Sequence, residues 1–329
     1  MISHYSIKFL LPILLFFSNA SHSQDSSHIK IDTTHYRQII SSGHQLYPYN
    51  KKRVRLVTAA NIVGYGGAMI GLNAAWYSQY PRSSFHFFND NAEWLQVDKA
   101  GHAYSAYIES FGSYEMWRWA GLSRKQRIWV GGLSGVAYQS IIEVLDGFSS
   151  EYGFSWGDFS ANVFGSSLFT VQEFAWDDQR IKMKFSFHKK NYGSADLNAR
   201  ASSIFGRLET ERFIKDYNAA TDWVSVNIRS FLPKTNLPKW FAIAVGYGAE
   251  GMFGARSNIA KDKNGNIIFD RSDIKRYRQW FISPDIDMSK IRTKKKSIRF
   301  ILNALNAFKF PAPSIEFSNG SIKGHWLHF

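Results

Sequence analysis

Asp98 and His102 stand four residues apart, and Ser105 and Glu109 continue the row. On a helix this spacing puts them on one face. Gln139, Glu143 and Asp146 repeat the pattern at intervals of four and three, and Asp158, Asn162 and Gly165 repeat it again. Three such stripes on three helices can converge inside a bundle, which is how bundles build polar sites. A His beside carboxylates is held in one tautomer and can shuttle protons. The same ligand types admit a metal ion, but the spacing is not a Glu-x-x-His di-iron pair and HExxH is absent. A third reading is structural. Asp98, Lys99 and His102 would tie one helix N-terminus, Ser155 and Asp158 would cap another helix, and Glu143 and Asp146 would close a third. The residues name no cofactor and leave the metal undetermined. Ionisable groups in apolar, Gly-rich segments are costly unless paired, so these six (Asp98, His102, Glu143, Asp146, Asp158 and Asn162) are the candidate site.

The elements that must position them follow from periodicity. An uncharged stretch runs from Leu56 to Pro81, with Gly67 and Gly71 as a small-xxx-small face. Further helices are expected at Gln96–Ala120, Arg124–Leu145 and Trp156–Phe174, separated by an aromatic loop around Phe85–Phe88 and by Gly147 and Gly153. After residue 178 the period changes. Ile181–Phe187, Trp223–Ile228, Trp240–Gly248, Arg276–Met288 and Pro313–Phe329 alternate as strands do, and Asn264-Gly265 and Asn319-Gly320 read as hairpin turns. Amphipathic helices are expected at Asp196–Asn218 and Ser297–Ala307. Five or six strands fall short of the eight of a complete small membrane barrel. The fold class is therefore α+β: an N-terminal bundle of about four Gly-rich helices over residues 51–178, then an antiparallel β region over 179–329.

Residues 1–23 read as a signal peptide with an apolar run from Phe9 to Phe17 and a small-x-small site at Ser21-His22-Ser23. Residues 24–50 read as a disordered polar segment. There is no Cys, which excludes disulfides and thiolate metal sites. The net charge is +14, with Lys and Arg at 40 against 26 Asp and Glu, yet the basic residues sit in short knots beside no nucleic-acid module. Nucleic acid is excluded as a partner. Membrane lipid or lipopolysaccharide phosphate is the expected one, and the 16% aromatic content suits a membrane interface. There is no GxSxG elbow, Walker loop or GxGxxG before a helix.

Across Leu56–Phe174 the chain resembles the YfiM-type family of predicted periplasmic or outer-membrane proteins of unknown function. The likeness rests on Asp98-Lys99-x-Gly-His102 with Tyr107, then Glu143-x-x-Asp146-Gly147, then Gly153-Phe-Ser155-x-x-Asp158-x-x-x-Asn162-x-x-Gly165. A more distant likeness is to VanZ-like membrane proteins. Both imply a small helical membrane-associated domain and no particular reaction. The β region lies outside the likeness, and the lipoprotein Cys of some relatives is missing. The expectation is an exported protein of the outer membrane or periplasm of a Gram-negative envelope. It would bind lipid or support the membrane. The alternative is an enzyme acting on an envelope lipid or glycolipid through His102 and its carboxylates.

Overall fold

The computed structural model describes residues 47–72 and 81–328. The expected signal peptide, most of the expected polar segment and residues 73–80 lie outside the described residues. The helices come first: α1 (Lys51–Leu72), α2 (Val97–Ala120), α3 (Arg124–Gly132), α4 (Ser134–Gly147) and α5 (Trp156–Trp176). Strands and short helices follow: β1 (Ile181–Phe187), α6 (Ala195–Phe205), α7 (Glu209–Lys215), β2 (Ala220–Asn227), α8 (Ile228–Phe231), β3 (Phe241–Glu250), β4 (Ile259–Lys261), β5 (Ile267–Asp270), β6 (Tyr277–Ile286), α9 (Lys296–Leu305), β7 (Ala312–Ser318) and β8 (Ser321–His328). The chain is thus mixed, with helices N-terminal and an antiparallel sheet C-terminal.

Helix α2 lies at the centre of the helical half, in contact with α3, α4 and α5 on one side and with β1 to β3 on the other. Small residues let the backbones close in. A Cβ on Gly135 would collide with the carbonyl oxygen of Ala106, and one on Gly165 with that of Ala103. The single helix expected over Arg124–Leu145 is two, parted at Leu133. Gly131 and Gly132 weaken the helix there, and Ser134 Oγ donates to the Val130 carbonyl at 2.7 Å, a local bond that competes with the ladder. Similarly, the segment expected as one helix over Asp196–Asn218 breaks at Gly206, which sits at φ 98°.

The approach to α2 is strained. Trp94, Leu95 and Gln96 all hold left-handed backbone, at φ 46°, 50° and 67°. Non-glycine residues adopt this only where the surroundings over-determine it. Here the β half does so. Trp94 N–H donates to the Ala255 carbonyl at 2.7 Å, Tyr247 hydroxyl donates to the Leu95 carbonyl, and Arg278 Nη2 donates to Gln96 Oε1 at 2.6 Å.

The main sheet runs β1-β2-β3-β6-β7-β8, each pair antiparallel, and β4–β5 form a separate hairpin around Asn264-Gly265. Asn319-Gly320 turns β7 into β8, dividing what alternation presented as one strand from Pro313 to Phe329. The sheet is strongly curled. Lys184 on β1 reaches Asp285 on β6, three places along the sheet, at 2.7 Å, and both side chains are fully buried. The His328 ring at the end of β8 lies 5.7 Å from that of His188, just past β1. Residues 307–309 cover the free edge of β1: Phe185 N–H donates to the Ala307 carbonyl and Lys309 N–H to that of Phe185.

The polarity of this curled sheet is inverted. Its enclosed face carries Lys182, Lys184, Ser225, Asp285, Asp287 and Glu316, joined as ion pairs and hydrogen bonds around Trp223 and Phe281. A Cβ on Gly246 would lie 2.7 Å from the Trp223 ring, so glycine is what admits the indole. The outer face exposes Val224, Val245, Ile282, Ile315, Phe317 and Trp326, the last at 88%. The helices follow suit. Ser110, Ser113, Glu143, Asn162 and Ser166 are buried, while Trp129, Ile141, Val144, Phe164 and Val171 are exposed.

Candidate functional site

Where α2, α4 and α5 meet the loop before α2, polar groups from all four converge. Lys99, one turn into α2, lies 2.7 Å from Asp90 Oδ1, 3.0 Å from Asp98 Oδ2 and 2.8 Å from Asp158 Oδ1. One turn on, His102 Nδ1 is 3.2 Å from Asn162 Oδ1 on α5 and 3.8 Å from Glu143 Oε1 on α4. Its Nε2 is 3.8 Å from Asp158 Oδ1. The expected capping role of Ser155 is present: its Oγ accepts from Asp158 N–H at 3.1 Å. The same hydroxyl donates to Asp90 Oδ1 at 2.5 Å, and Ser155 N–H donates to Glu143 Oε2 at 3.3 Å. One serine thus joins the start of α5, the preceding loop and α4.

Burial sets the electrostatics. The His102 side chain keeps 24% of its surface open, yet burial of its ring, helped by the Lys99 charge, lowers its pKa to about 4. His102 is therefore neutral near pH 7. Burial raises Glu143 to about 8, and the charge of Asp146 adds to this. Burial also pushes Asp158 up, and its hydrogen bond with Asp90 adds to the rise. Asp90 is lowered despite its own burial, by the bonds from Asp158, Lys99 and Ser155. Burial alone would push Lys99 down, but Asp98 and Asp158 outweigh it and keep it charged.

Five of the six residues read from the sequence meet here: Asp98, His102, Glu143, Asp158 and Asn162. Asp146 stands beside them and acts on Glu143 through its charge. Glu109 joins a separate pair about two turns further along α2, where Gln139 Nε2 donates to its Oε1 at 2.9 Å. Sequence reasoning left Asp90 and the central role of Lys99 out of the site. Asp90 belongs to a loop with no period to place it. Lys99 had a signal in being a charge one turn before His102 within a Gly-containing helix. An imidazole nitrogen of His102 and one oxygen each of Glu143 and Asp158 lie within 4.8 Å of one another, as do oxygens of Asp90, Asp98 and Asp158. The latter trio already surrounds the Lys99 ammonium.

Residues 86–173 match a family model described as a predicted periplasmic lipoprotein (DUF2279). The matched span covers the loop before α2 through most of α5, and so holds every residue of the cluster. No curated protein and no solved structure matches the chain. The family description agrees with an exported protein of the periplasm or outer membrane, in a family whose function is unknown. The chain contains no Cys, the residue to which such a lipid is attached.

Proposed function

We propose that the chain is a lipid-contacting envelope protein, its apolar outer surface set against membrane and its polar groups turned inward to hold the fold. One observation carries this reading: the inverted polarity of the curled sheet, with the Lys184–Asp285 pair sealed inside and Val245, Ile282, Ile315 and Trp326 outside. In water that arrangement is costly twice over, because the apolar band is left wet and the charges are desolvated. Against lipid the first cost disappears. A lipid-facing apolar band over a polar interior is also how membrane-embedded β-structures are built. Among the described residues, the span Arg124–Gly147, made of α3 and α4, is long and apolar enough by length and composition to cross a membrane. The YfiM-type and VanZ-like likenesses of the helical half support a membrane setting. The test is extraction of native envelopes. The protein should stay with the membrane in 1 M-scale salt and alkaline carbonate and leave only in detergent. Release by salt alone would mean a peripheral protein held by its basic charge.

A second reading, an enzyme of envelope lipid chemistry, is favoured by the partial exposure of His102 beside Glu143 and Asp158. A neutral imidazole next to a carboxyl is competent for proton transfer.

A further inference from the structure

We propose that His102, Glu143 and Asp158 bind one divalent cation of the zinc or manganese type, with Asn162 as the residue that positions the imidazole. The inference is independent of the membrane reading.

Three carboxyl groups (Asp90, Asp98 and Asp158) surround the Lys99 ammonium, and a fourth, Glu143, stands against His102. Lys99 is placed to serve Asp90, Asp98 and Asp158. The Asp158 Oδ1 that Lys99 contacts also faces His102 Nε2, and Glu143 stands on the other side of the imidazole with no ammonium in contact with it among the described residues. Glu143 is 1% exposed, and its Oε1 has no hydrogen-bond partner among the described residues. This oxygen points at the imidazole, 3.8 Å from Nδ1. An orphaned, fully buried carboxylate oxygen is costly unless something positive or protic meets it. Asn162, 0% exposed, offers its Oδ1 to His102 Nδ1 at 3.2 Å. If Nδ1 carries the hydrogen, Nε2 bears the lone pair and faces Asp158 Oδ1 at 3.8 Å. An oxygen that accepts from the non-ligating ring nitrogen, and so fixes the tautomer, usually stands behind a metal-bound imidazole. The ligand atoms of the three residues lie within 4.8 Å of one another. Two ligands held about 2.1 Å from one ion stand roughly 3.4 Å apart, so the side chains must draw in by up to about 1.4 Å, with Glu143 Oε1 swinging from the Nδ1 side of the ring towards Nε2. One imidazole with two carboxylates suits a borderline ion. Calcium and magnesium prefer all-oxygen shells.

The experiment uses the full chain in detergent, stripped with a chelator and dialysed. Titration with ZnCl2 or MnCl2 alone should show one saturable equivalent, resistant to a hundredfold excess of Ca²⁺ or Mg²⁺. His102→Ala and Glu143→Gln should each weaken binding at least tenfold. His325→Ala, on the distant β8, should not. Since either variant could misfold, the wild-type chain is also loaded with Co²⁺, whose visible bands should report mixed nitrogen–oxygen ligation. Absence of saturable binding, wild-type affinity in both site variants, or a Co²⁺ spectrum like that of the hydrated ion overturns the proposal.

Discussion

At the scale of single residues, Lys99 is the hinge of the cluster. It is the nearest cation to three buried carboxyls, and removing one member of a buried ionic group leaves its partners uncompensated. Lys99→Met is expected to destabilise the fold by about 3–5 kcal/mol, read from the denaturant midpoint. A loss under about 1 kcal/mol would mark these contacts as ordinary solvent-screened pairs. Glu143 makes a second prediction through pH. Its acid form is favoured in the folded chain, with the pKa raised from 4.5 to about 8. Its contribution is therefore complete below about pH 4.5 and declines as pH rises towards 8. His102 acts oppositely, being lowered from 6.5 to about 4, so its penalty is felt below 6.5. Between pH 6.5 and 8 only the carboxyl trend remains. In the presence of chelator, stability should fall across that window. Glu109, Asp158 and Asp222 are raised by burial too and share in the fall, so Glu143→Gln should make it shallower without abolishing it. A rise in stability across it would contradict the assigned burial.

At the scale of elements, much was legible. The alternation of Ile181–Phe187 gave β1 its observed bounds, and the two Asn-Gly pairs gave both hairpin turns. The stripe on α2 was legible because a helix repeats and Asp98 and His102 share its face. What the residues withheld was which face of each strand is enclosed. Alternation gives a period and no direction, so it does not place Lys182 and Lys184 inside the curl, where they sit. The break at Leu133 was hidden because apolar residues continue through it. Asp90 was hidden because its place depends on the left-handed turn at Trp94–Gln96, which is set by contacts from the far half of the chain. The close helix contacts make a third prediction. Gly135→Ala and Gly165→Ala should each cost roughly 1–3 kcal/mol, since the added methyl meets a neighbouring backbone carbonyl. Gly112→Ala, on α2 with nothing within 4 Å, should stabilise by up to about 1 kcal/mol. Thermal or denaturant melts of the three decide it, and a loss at position 112 equal to the others would remove the packing explanation.

At the scale of the whole molecule, the β half encloses polar groups and exposes apolar ones, whereas the helical half buries an apolar core of Tyr107, Tyr114, Ile128 and Phe169 beside its polar cluster and exposes further apolar side chains. The two are also clamped together, through the α2 approach and through Tyr104, whose hydroxyl donates to the Ala307 carbonyl at 3.1 Å. Tyr104→Phe should therefore loosen the closure of β1 by residues 307–309 and cost about 0.5–1.5 kcal/mol, with faster amide exchange at Phe185 and Lys309. Unchanged exchange there would show that the edge is held without the clamp. The central claim, that the outer face of the curled sheet meets lipid, can be measured cleanly because the chain has no native Cys. Single cysteines at Val245, Ile315 and Lys263 would carry spin labels, with the protein reconstituted in liposomes, and collision rates with oxygen and with a water-soluble nickel chelate would be compared. Labels at 245 and 315 should favour oxygen strongly, while the label at 263, in the β4–β5 turn, should favour the nickel reagent. If all three sites meet the nickel reagent equally, the apolar band faces water and the account is wrong.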